Sequence, residues 1–127
     1  MERPSTNTQL AVASLGAMLF MNLLGIPVGF AIMDAHPEMA ALVSANGAIV
    51  AVTLFALPLV WWRQKAGYVS GIIAAVVNVL GNIAGIASGT PTAGDVMPPM
   101  LVLVPIFQTV FAVPSVVFAV RAWREAR

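Results

Sequence analysis

Two sets of side chains in this sequence are able to bind or react. The first is a series of carboxamides, Asn22, Asn46, Asn78, Asn82 and Gln108, each lying deep in an apolar stretch. A carboxamide donates and accepts hydrogen bonds but carries no charge. The chemistry open to it is recognition of a small ligand, the lining of a narrow polar path, or a bond to another helix. The second set is Asp34, His36 and Glu38, with Asp95 further along. An imidazole nitrogen and carboxylates could hold a divalent ion, and a hydrolytic site would also need an open coordination position. These residues have a plainer use. Pro37 and Glu38 suit the first turn of a helix, and Asp95 ahead of Pro98 and Pro99 suits a helix cap. Four such residues spread over two loops form no metal motif, so no metal site and no cofactor is predicted.

Other chemistries are missing from the sequence. There is no cysteine, which removes disulfides, thiol catalysis and thiolate metal sites. The single histidine cannot supply a paired haem ligation within the membrane. No Ser-His-Asp or Gly-x-Ser-x-Gly arrangement occurs, and the chain is not expected to be an enzyme.

The elements that carry the carboxamides are legible from hydropathy. The 127 residues are 60% hydrophobic and 9% charged, too little charge to cover the surface of a soluble domain of this size. A helix crosses a bilayer in about 20 apolar residues. Four segments qualify, at about residues 9–33, 38–62, 66–87 and 98–123, and together they make one integral membrane domain over residues 1–127. The joints are short, so neighbouring helices must run antiparallel. The expected fold is all-α, a polytopic four-transmembrane-helix bundle. The lead over residues 1–9 has no net charge, and the apolar stretch after it is longer than a cleaved signal core, so it reads as a retained span.

Charge predicts the orientation. Arg3, Arg63, Lys65, Arg121, Arg124 and Arg127 all fall at one side of the spans, while the other two joints carry only Asp34, His36, Glu38 and Asp95. Lys and Arg stay on the cytoplasmic side of a membrane. Both termini are therefore expected in the cytoplasm, with the chain in the cell membrane. Trp61, Trp62, Trp123 and Tyr68 gather at the same predicted interface, where aromatic rings favour the headgroups. Basic residues placed this way set topology and form no nucleic-acid patch.

The two halves resemble each other. Asn22, Leu24, Gly25, Gly29 and Ala31 match Asn78, Leu80, Gly81, Gly85 and Ala87, and Ser14 meets Ser70. With five extra residues in the second outer joint, Pro37, Met39, Leu42 and Val43 meet Pro98, Met100, Leu103 and Val104, and Trp62-Arg63 meets Trp123-Arg124. This predicts a tandem repeat of two helical hairpins, parallel in the membrane. The pairs Gly25/Gly29, Gly67/Gly71, Gly81/Gly85 and Gly85/Gly89 are small-residue spacings that let helix backbones approach closely, in the same chain or in another. Pro27, Pro58, Pro105 and Pro114 are expected inside helices, where each removes a backbone donor.

Apolar surroundings cannot satisfy an amide, so the carboxamides should face protein or water. No Asp, Glu, Lys, Arg or His lies in the interior of a span, away from its ends, although proton-coupled transport usually requires one there. Small multidrug exporters are similar in length and four-helix plan, but they rest on a membrane-embedded glutamate, and its absence excludes that family. The expected partners are the lipid bilayer and other membrane chains or further copies of this one. The functional expectation is a non-enzymatic accessory or structural subunit of a larger membrane complex. The alternative is an oligomeric channel or uncoupled transporter for a small neutral solute or ion. Convergence of the carboxamides on one another or on water separates the two.

Overall fold

The structure is a computed structural model that describes residues 4–34, 37, 40–87 and 103–126. The described residues form four α-helices: α1 (Thr6–Met33), α2 (Ala40–Trp61), α3 (Lys65–Ala87) and α4 (Leu103–Ala126). No strand occurs among the described residues. Each helix is long and apolar enough to cross a membrane. The chain is an all-α, multi-pass membrane protein built as one four-helix bundle. His36, Glu38 and Asp95, the candidate metal ligands and caps, lie outside the described residues, as do the start expected for the fourth span at residue 98 and Gly89.

The helices form a ring. α1 packs on α2 and α4, α3 packs on the same two, and α1 meets α3 only across the diagonal. Only about a third or less of each span's most apolar window is buried. The remaining apolar surface, including Phe20, Phe30, Phe55, Leu80, Ile83 and Val113, faces outward as a lipid-exposed belt. The interior is rich in alanine, with Ala11, Ala56, Ala74, Ala75, Ala112 and Ala119 around Leu15, Met18, Ile49 and Val60. Small side chains bring helix axes together where no hydrophobic effect drives helix against helix.

The ends of the helices are set locally. Ser5 caps α1, its Oγ accepting the Thr8 backbone N–H at 3.2 Å. The α2–α3 turn is a Schellman closure, with Arg63 N–H donating to Val60 O at 3.0 Å and Gln64 N–H to Leu59 O at 2.8 Å. Its left-handed position is filled by Arg63, at φ 58°, where glycine would be at ease. α3 then starts with Gly67 pressed on the end of α2. A Cβ there would stand 2.5 Å from Val60 N and 2.6 Å from the Leu59 carbonyl carbon. Pro27, Pro58 and Pro114 lie inside helices as expected. Pro105 lies in the first described turn of α4, and the residues before Leu103 lie outside the described ones.

The register that pairs Asn22 with Asn78 also pairs the buried faces of α1 and α3. Ala11, Leu15, Met18, Leu19 and Asn22 are buried in one, and Gly67, Gly71, Ala74, Ala75 and Asn78 in the other. Equivalent places in a square bundle demand equivalent faces, with or without duplication. The register that pairs Trp62 with Trp123 does not do the same for α2 and α4. It sets the buried residues Ala112, Ser115 and Ala119 of α4 against Ala51, Leu54 and Pro58 of α2, which are all exposed.

Candidate functional site

Three of the carboxamides, Asn46, Asn82 and Gln108, gather in one layer of the bundle. Gly25 of α1 makes room for two of them: a Cβ there would stand 3.1 Å from Gln108 Nε2 and 3.2 Å from Asn46 Nδ2. Gln108, buried on α4, donates from Nε2 to the Met21 carbonyl of α1 at 3.3 Å. Asn82 of α3 donates from Nδ2 to Thr109 Oγ1 at 3.0 Å and to the Pro105 carbonyl at 3.2 Å. Its contact with Gln108 Oε1 is 3.5 Å, at the limit of a hydrogen bond, and two amide hydrogens cannot serve three acceptors equally. α3 and α4 are thus joined through Asn82, and α1 and α4 through Gln108.

Asn22 and Asn78 behave differently. Both are buried, at 0% and 2% exposure. Asn22 Nδ2 donates to the Met18 carbonyl of its own helix at 2.9 Å, which leaves Oδ1 without a partner. Asn78 Nδ2 is also buried without a partner. An unmet buried polar group costs about 1–3 kcal/mol. The buried hydroxyls of Thr53 and Ser115 satisfy themselves on the preceding turn, on Ile49 O and Phe111 O.

The glycines separate into two groups. Gly29 is closed off by Val43, whose Cγ2 would stand 2.5 Å from an added Cβ, and Gly71 meets Leu15 of α1 at 3.1 Å. Gly81 is exposed, and a Cβ there would meet nothing within 4 Å. Close approach inside the chain is therefore found at Gly25 and Gly29 but not at Gly81. The surroundings of Gly85 lie outside the described residues. Asn78 and Gly81 do not share a stripe facing one neighbour, since one points inward and the other outward.

The basic end has its own polar group. Asn7 of α1 donates to Glu125 of α4. Tyr68 stacks on Trp123 with ring centroids 6.4 Å apart. Tyr68 is 1% exposed, so it is a core residue and not a headgroup anchor, unlike exposed Trp61 and Trp62. Arg63, Lys65, Arg121 and Arg124 come to this end, with Arg121 over the Phe118 ring at 5.9 Å.

Outside the ring, α3 and α4 leave an apolar groove of about 270 Å³ lined by Val76, Val79, Leu80, Val113, Val116 and Val117. The outward side of α2 is of another kind. Ala41, Ser44, Ala45, Ala48 and Ala51 are all exposed, and Gly47 beside them has open space where a Cβ would be. No group of residues able to hold a metal ion occurs among the described residues.

Thr109 is a member of this layer that hydropathy and spacing do not reveal. Its hydroxyl also bonds to the Pro105 carbonyl at 3.1 Å, and a threonine that can satisfy itself in this way gives no signal in sequence that it serves a second helix. The chain matches no protein-family model, no curated protein and no solved structure.

Proposed function

We propose that this protein is a non-enzymatic structural or accessory subunit that docks another membrane chain through the outward side of α2. The small-residue surface of Ala41, Ser44, Ala45, Ala48 and Ala51 carries this reading. Most lipid-facing positions elsewhere on the bundle hold Leu, Phe, Val or Ile, and the small exposed residues there, such as Ala13, Gly81 and Ala84, form no run of this length. A run of Ala and Ser instead exposes the helix close to its backbone, the shape against which a second transmembrane helix packs. The bonding of Asn82 and Gln108 to other helices supports the same reading, because these amides are used within the bundle. The basic end is assigned to the cytoplasmic side of the cell membrane on its Lys and Arg content. The tandem-hairpin reading draws support from the matching buried faces of α1 and α3 and none from α2 and α4. The channel or uncoupled-transporter reading draws its support from the unpaired atoms of Asn22 and Asn78.

The test uses the absence of native cysteine. A single cysteine at Ala45 should crosslink to a partner in native membranes, whereas one at Phe20 should not. Ala45→Leu with Ala48→Leu should abolish co-purification of the partner while leaving helicity unchanged. Undiminished co-purification would exclude this face. A crosslinked product of twice the chain mass would show the partner to be a second copy.

A further inference from the structure

We infer that the middle of the bundle holds a binding site for one small neutral molecule that both donates and accepts hydrogen bonds, and that its resident is water. The inference starts from depth. Gly25 of α1 faces Asn46 of α2, so Asn22, three residues earlier, is level with Ile49, three residues later. Gly71 of α3 faces Ala56 of α2, so Asn78, seven residues on, is level with the same Ile49 seven residues back. Ile49 is itself buried. The Gln108 amide touches Gly25 and bonds to Met21 O, so it lies about one turn away, at the level of Asn46. Diagonal helices α1 and α3 therefore each present a buried carboxamide at one height.

The unmet atoms are complementary. Asn78 Nδ2 is a donor without an acceptor, and Asn22 Oδ1 is an acceptor without a donor. A water molecule there would accept from Asn78 and donate to Asn22. That makes two hydrogen bonds to the protein, within the range of about two to four for a buried water. A cation would find the Asn78 donor in its way, and an anion would face the Asn22 carbonyl. A neutral donor–acceptor fits both. The Asn22 orientation is fixed independently, because its amide nitrogen is held by Met18 O.

Water-edited solid-state NMR on the full chain in lipid vesicles tests this. The Asn78 side-chain amide should receive magnetisation from water several-fold faster than the backbone amide of Ala75, which is buried one turn away in the same helix. The Asn7 side-chain amide at the basic end serves as the wet reference. Transfer to Asn78 as slow as to Ala75 would overturn the site. In Asn78→Leu, transfer to the Asn22 amide should fall several-fold, and an unchanged rate would also overturn it. The wild-type comparison decides the matter alone if that variant fails to fold.

Discussion

At the scale of single residues, the glycines give the sharpest contrast. An added Cβ at Gly67 meets the backbone of α2, which cannot move aside without opening the hairpin. Gly67→Ala should therefore destabilise the bundle by about 1–3 kcal/mol, the usual range for overpacking. Gly81→Ala meets nothing and should be neutral or stabilising, since alanine is favoured over glycine in a helix by about 1 kcal/mol. Equilibrium unfolding in mixed detergent micelles measures both. A destabilised Gly81→Ala would place that glycine in a contact between chains. The bond from Asn82 to Thr109 should show a coupling of about 0.6 kcal/mol in a double-mutant cycle of Asn82→Leu and Thr109→Val. A coupling indistinguishable from zero would remove it as a link between α3 and α4.

At the scale of elements, the turn between α2 and α3 stores strain at one position. Arg63 holds the left-handed conformation that closes the Schellman turn. Arg63→Gly should stabilise the hairpin by about 1 kcal/mol by relieving that backbone. Loss of stability instead would show that the guanidinium contributes more at the membrane surface than the strain removes. The helices themselves are legible in sequence to within a few residues, because unbroken apolar length is a property of each segment alone.

At the scale of the whole molecule, the ring of four helices gathers the basic residues at one end. Moving Arg63 and Lys65 into the opposite joints should scramble orientation, read by the accessibility of single introduced cysteines. An unchanged orientation would defeat the charge argument. The same ring decides which helix faces another. Asn22 and Asn78 reach one level inside the bundle because α1 and α3 lie on a diagonal with α2 and α4 between them.

Sequence alone determined the number of spans, their antiparallel order and the need for each carboxamide to face protein or water. Those follow from run length, short joints and the insolubility of an amide in hydrocarbon. Tertiary structure alone decided that Asn82 bonds to Thr109, that Asn22 and Asn78 keep unmet atoms, that Tyr68 turns inward and that Gly81 turns outward. The reason is that α1, α2 and α4 are apolar nearly all round, with little amphipathic bias to mark an inner face. Which side packs is then settled by the fit of small residues and hydrogen bonds among neighbours, and that fit exists only once the helices are together.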